Sequence, residues 1–107
     1  MKVYNKLVRD KIPEIINESG KQAIVRNLGH QDYIKELNCK LQEGVKEYIE
    51  DNNVEELADI VEVIYAILNF KNVSVSEFER IRLEKVSKRG AFKKQIFLEK
   101  VIDDENI

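Results

Sequence analysis

Four carboxylates stand on either side of an Asn-Asn turn: Glu43 and Glu47 in "LQEGVKEYIE", then Glu56 and Asp59 in "EELADIVEVI". Acids three or four residues apart share one face of a helix. No histidine or cysteine belongs to either run. Oxygen donors without imidazole or thiolate suit a hard cation such as Mg²⁺, or Mn²⁺. Mg²⁺ keeps several waters and bridges to substrate phosphates, so the chemistry such a site would perform is on phosphate.

Helical geometry separates these acids from one another. At about 100° per residue, with Glu43 at zero, Glu47 falls near 40° and Glu50 near −20°, while the apolar residues of that helix centre near 160°. These acids lie away from the apolar side, and a solvated face is the plain reading for them. On the next helix, with Glu55 at zero, Glu56 falls near 100°, between Val63 near 80° and Ile67 near 120°. Glu56 therefore projects into an apolar arc. An ionised carboxylate there needs a cation or several donors, or its pKa must rise. A buried pair with a Lys or Arg would also satisfy it. Gly44 lies at the border of the apolar arc, although a mid-helix glycine costs about 1 kcal/mol relative to alanine. It stands where a side chain would come closest to a partner helix.

The elements that must hold these residues are mostly helices. "MKVYN" is expected to be extended. Asp10 is expected to cap a short helix that has Pro13 in its first turn and Gly20 just past its end. Residues 22–28, within "QAIVRNLG", have weak strand character. Apolar residues at spacings of three and four, from Tyr33 to Ile49, predict a helix from about Gln31 to Asp51. Asn53 is a natural cap for the next helix, Val54 to Lys71, whose apolar content places it at the centre of the core. The short turn makes these two helices antiparallel neighbours, with Glu47, Glu56 and Asp59 able to converge. Ser76 and Glu79 form a capping-box pattern for a helix over 77–88, ended by Gly90. Residues 92–98 are expected to be extended and packed back by Phe92, Ile96 and Phe97. "DDENI" is expected to fray. The fold class is all-α, a helical bundle around an antiparallel central pair.

The whole chain, residues 1–107, fits one domain. Hydrophobic residues at 43% allow a core, although a small one. A net charge of −2, with both signs interspersed, gives no overall attraction to polymeric nucleic acid or an anionic membrane. The single cysteine, Cys39, excludes an intramolecular disulfide and suits a cytoplasmic setting. The N-terminus lacks the apolar block of a signal peptide. Ile60–Phe70 is too short to span a bilayer. His30 reads as a loop or helix-start residue, and Cys39 as half-buried packing.

Four segments, "YNKLVRDKIPEII", "LQEGVKE", "EELADIVEVI" and "KRGAF", together resemble the all-α nucleoside triphosphate pyrophosphatase superfamily. That superfamily includes MazG and the phosphoribosyl-ATP pyrophosphohydrolases. The likeness is greatest to a small house-cleaning branch that opens with "NKLVRDKIPE", and it runs from Tyr4 to about Leu98. It implies a homodimer or higher oligomer that cleaves nucleoside triphosphates between the α- and β-phosphates with Mg²⁺, giving a monophosphate and pyrophosphate. Glu56 and Asp59 match the family's second metal motif, and Glu47 matches the last acid of the first. Glu43 matches the acid before that motif, and Gly44 stands where the family has a ligand glutamate. The resemblance implies metal and catalytic roles for Glu43, Glu47, Glu56 and Asp59, with Glu50 and Glu62 on neighbouring faces. It also implies substrate contacts from Asn5, Lys6, Arg9, Lys88 and Arg89. The family usually reads "RGGF" where this chain has Ala91.

Besides a purely structural helical oligomer, which the wide apolar arc of the third helix would suit, two readings of function follow. One is a nucleotide pyrophosphohydrolase. The other is a nucleotide-binding or regulatory helical module that turns over little because Gly44 has replaced a ligand.

Overall fold

The computed structural model describes residues 1–103 and holds four helices, with no strand among the described residues. The helices are α1 (Ile12–Glu18), α2 (His30–Asp51), α3 (Val54–Phe70) and α4 (Val75–Arg89). The expected all-α class is what the chain adopts. The weak strand expected over 22–28 does not form. Residues 92–98 form no strand either: they begin with a turn, and Phe92, Ile96 and Phe97 are exposed rather than packed. A lone extended segment has no partner for its backbone groups, so β-branched residues alone do not make it a strand. Of the expected fraying at the C-terminus, everything after Asp103 lies outside the described residues.

The chain divides into two compact units, Met1–Val75 and a second beginning at Ser76. In the first, α2 and α3 pack together. Their antiparallel register is visible at three levels. Asn52 and Asn53 form the turn. Midway, Gly44 faces Ile60. At the far end His30, first residue of α2, stacks on Phe70, last residue of α3, with ring centroids 4.2 Å apart, and Tyr33 meets the same ring edge-on. The core lies along this seam, where Leu37 and Leu68 are the buried hydrophobic side chains among the described residues.

Local chemistry explains the ends of the helices. Asn52 ends α2 in the left-handed region (φ 52), a conformation asparagine tolerates, with its N–H donating to the Tyr48 carbonyl. The Asn53 side chain then accepts from the Glu55 N–H at 2.9 Å, as expected of a cap. Past α3, Asn72 takes φ 59, and Val73 N–H and Asn72 N–H donate back to the carbonyls of Leu68 and Asn69, a Schellman ending. Two expected boundaries move. The cap of α1 is Lys11 rather than Asp10, because Pro13 takes its place in the first turn of a helix that begins at Ile12. α4 begins at Val75, so Ser76 lies within its first turn. Gly90 ends α4 as expected, at φ 81, with its N–H on the Val86 carbonyl.

Candidate functional site: an acidic face split between two electrostatic poles

The candidate acids all belong to the first unit, and the structure sorts them into two groups. Glu43, half-buried on α2, lies 3.5 Å from Lys6 Nζ and 3.4 Å from Lys40 Nζ. Burial pushes its carboxyl up, but the Lys40 and Lys6 ammonium groups more than offset this and hold it below the usual carboxylate range. Glu43 thus has two cations of its own.

Glu56, half-buried on α3, has the opposite environment. Desolvation pushes its carboxyl above the usual range, and the negative charges of Glu47, Asp51 and Asp59 push it further. A hydrogen bond with Glu47, which favours the protonated form, acts in the same direction. The structure leaves Glu56 half-buried, with acids as its electrostatic neighbours. Asp59 is exposed and accepts a hydrogen bond from Arg9 Nη2 at 2.6 Å. Through Lys6 and Arg9, the segment before α1 reaches an acid on each of the two central helices.

Two participants escaped the sequence reading. Asp51 is four residues after Glu47 and so lies on the same face of α2. Lys40 is three residues before Glu43 and occupies the equivalent relation there. Both are legible in the sequence as helical spacings of four and three. Asn5 sits just before Lys6, exposed, with φ 47. Glu50 and Glu62 are exposed. Lys88 and Arg89 belong to the second unit, exposed in the last turn of α4. Cys39, expected to be half-buried, is exposed, because it lies on the far side of α2 from the seam that buries Leu37. His30 starts α2, with its ring engaged by Phe70.

Gly44 is buried where α2 meets α3. A Cβ placed there would stand 3.0 Å from Ile60 Cγ1, closer than ordinary van der Waals contact. The glycine therefore has a packing reason to be there: it lets the two helices approach between the Glu43 and Glu56 poles.

The donors around Glu56 are all carboxylates, and their excess negative charge is what a divalent cation neutralises, so in kind they fit Mg²⁺ or Mn²⁺. Among the described residues, no three acids, histidines or cysteines are gathered tightly enough to enclose a metal ion as they stand. No helix is long and apolar enough to cross a membrane.

Fold and site together define an all-α chain with an acidic face on its central antiparallel pair. No family model matches the chain, and no solved structure matches it. A 41-residue stretch is 46% identical to an uncharacterized protein of Mycolicibacterium smegmatis, covering 38% of this chain and 42% of that relative. The match thus spans less than half of the relative's length.

Proposed function

We propose that the protein is a Mg²⁺-dependent nucleoside triphosphate pyrophosphohydrolase of the MazG-like type, cleaving between the α- and β-phosphates. The observation that carries this reading is the half-buried Glu56, which feels the negative charges of Glu47, Asp51 and Asp59 and, among the described residues, is in no ion pair with a cation. Stable folds rarely concentrate like charges unless something else balances them. The four ordered sequence motifs supply the reaction class.

Glu47, Glu56 and Asp59 would hold the cation, with Asp51 beside them and Glu43 in support. Bound there, Mg²⁺ or Mn²⁺ would neutralise phosphate oxygens and lower the pKa of an attacking water. Arg9, now held by Asp59, would donate to a phosphate once that contact loosens. Lys6 offers a second positive charge from the same segment. Closing the carboxylates around a cation would require Asp59 to loosen its contact with Arg9, and this would free the guanidinium for the substrate.

The protein would act as a homodimer or higher oligomer in the cytoplasm. Val54, Leu57, Val61 and Tyr65 support the oligomer, as they form one exposed apolar stripe at spacings of three and four along α3. Light scattering should give at least twice the mass of one chain.

The second reading, a nucleotide-binding module with little turnover, is favoured by Gly44. Its contact with Ile60 leaves no room for the family's glutamate without shifting the helices. The deciding experiment is pyrophosphate release from a panel of standard and damaged nucleoside triphosphates with Mg²⁺, Mn²⁺ or EDTA. Metal-dependent release that is lost in Glu56→Ala and Asp59→Ala supports the enzyme. Binding without release across the panel supports the module.

A further inference from the structure

Two apolar surfaces are bare in the single chain, and the acidic face uses neither. One is the α3 stripe of Val54, Leu57, Val61 and Tyr65. The other follows α4, where Phe92, Ile96, Phe97, Leu98, Val101 and Ile102 are each at least 73% exposed. Segments that stay solvated are normally polar, because apolar side chains gain by leaving water. Residues 92–102, "FKKQIFLEKVI", do not have that composition. The chain as a whole is also short of buried surface. It exposes 10253 Å² at a mass of 12.5 kDa. A folded monomer of such mass exposes about 6,200 Å². The excess, about 4,000 Å², is several times the roughly 800 Å² per partner that a standard stable interface covers.

Charge decides which surface meets which. α3 carries Glu55, Glu56, Asp59 and Glu62 and no lysine or arginine. Two α3 stripes laid face to face would bring these acids near their own copies, and like charges brought together oppose association. Residues 92–102 have the opposite balance, with Lys93, Lys94 and Lys100 against the single acid Glu99. Among the described residues none of these lysines is in an ion pair. Apolar side chains interleaved with lysines complement an apolar stripe on an acidic helix.

We propose that residues 92–102 of one copy dock on the α3 stripe of a second copy, and that the exchange is reciprocal. Reciprocal exchange closes a twofold dimer, covers both stripes and leaves no open end to propagate. This docking rests on the oligomer proposed above and adds which surfaces form it. It requires neither a metal nor turnover.

The test uses the full chain. Light scattering over a dilution series should show a wild-type dimer. Ile96→Asp/Leu98→Asp should weaken it by at least about 100-fold, the worth of two buried apolar side chains. Val61→Asp, on the opposite surface, should weaken it by about tenfold or more. Leu83→Asp alters an exposed apolar site on α4 outside both surfaces and should stay within about twofold. All four positions are exposed, so circular dichroism should show wild-type helix in each variant. Disulfide trapping then identifies the contact. In a Cys39→Ser background, chains with Val61→Cys mixed with chains with Phe97→Cys should join to each other under mild oxidation. Val61→Cys chains that join one another instead would mean that two α3 stripes meet, and would overturn the proposal. A chain with both cysteines that closes only on itself would overturn it too. A wild-type dimer indifferent to Ile96→Asp/Leu98→Asp would overturn the docking and leave the oligomer standing, whereas a monomeric wild type would overturn both.

Discussion

Glu43 and Glu56 are both half-buried carboxylates on the central helix pair, yet their electrostatics are opposite. Glu43 has Lys6 and Lys40 within 3.5 Å and is held in its charged form. Glu56 has Glu47, Asp51 and Asp59 around it and is pushed toward its neutral form. An acid that already has its cations contributes to the fold as it stands. An acid among other acids is destabilising in its charged form until a cation reaches it. The difference divides the acidic face into a structural pole and a candidate catalytic pole, about one helical turn apart along α2.

Turnover should show the largest effect. Glu56→Ala and Asp59→Ala should cut pyrophosphate release by at least about 100-fold, the upper end for losing even an outer partner of a metal site. Glu43→Gln should cost about tenfold or less. Equal losses at Glu43 and Glu56 would erase the division between the poles.

Gly44 lies between the poles, and changes there should be felt as stability. Alanine would gain about 1 kcal/mol of helix propensity, but its Cβ would meet Ile60 Cγ1 at 3.0 Å. Overpacking costs typically about 1–3 kcal/mol, so Gly44→Ala should be neutral to destabilising and Gly44→Glu clearly destabilising by chemical denaturation. Combining Gly44→Ala with Ile60→Ala should recover part of the Gly44→Ala loss, a coupling expected of residues in contact. Additive losses would mean that the close approach at Gly44 does not govern the packing.

Much of this was legible in the sequence, for identifiable reasons. The α2 and α3 boundaries follow from apolar spacing and from Asn53, whose cap is a local contact. The partial burial of Glu56 agrees with its helical phase. What escaped depended on contacts between distant segments. Lys6 meets Glu43 across 37 positions and Arg9 meets Asp59 across 50, and helical periodicity carries no information about such pairs. The strand expected over 22–28 failed because a strand needs a partner, and that is a property of the whole fold. Gly44 was legible as a point of helix approach, but only the structure identifies Ile60 as what it faces.

Stability as a function of pH should separate the poles again, with a smaller effect. Glu43 has a lowered pKa in the fold, so it contributes stability that is present above the ordinary carboxylate range and lost as pH falls through its folded value. Glu43→Gln should therefore lower the thermal midpoint at neutral pH, by a few degrees at most because the pair is partly exposed, and should do nothing in strong acid. Glu56 has a raised pKa, so its charge costs stability once pH rises through the folded value. In EDTA, Glu56→Gln should raise the midpoint at neutral pH, and the gain should fade below the carboxylate range. Added Mg²⁺ or Mn²⁺ should stabilise wild type and narrow its gap to Glu56→Gln. A midpoint of wild type indifferent to both metals would leave the Glu56 pole without the cation proposed for it.

The smallest energetic effect gives the finest test. The Arg9–Asp59 pair is exposed on both sides, so Arg9→Gln should change stability by less than about 1 kcal/mol. Its effect on charge should be selective. Removing the guanidinium takes a positive charge from beside Asp59, one of the acids that already push Glu56 up, so Glu56 should titrate higher still. Lys6→Gln is the matched change at the other pole. It should let Glu43 rise only part of the way, because Lys40 stays within 3.4 Å, and it should leave Glu56 where it is. Carboxyl carbon NMR titrations of the two variants would read both sites at once. If each variant moves only the acid at its own pole, the poles are electrostatically separate. If Lys6→Gln moves Glu56 as far as Arg9→Gln does, the acidic face is a single coupled cluster, and Glu43 belongs with the metal-binding acids after all.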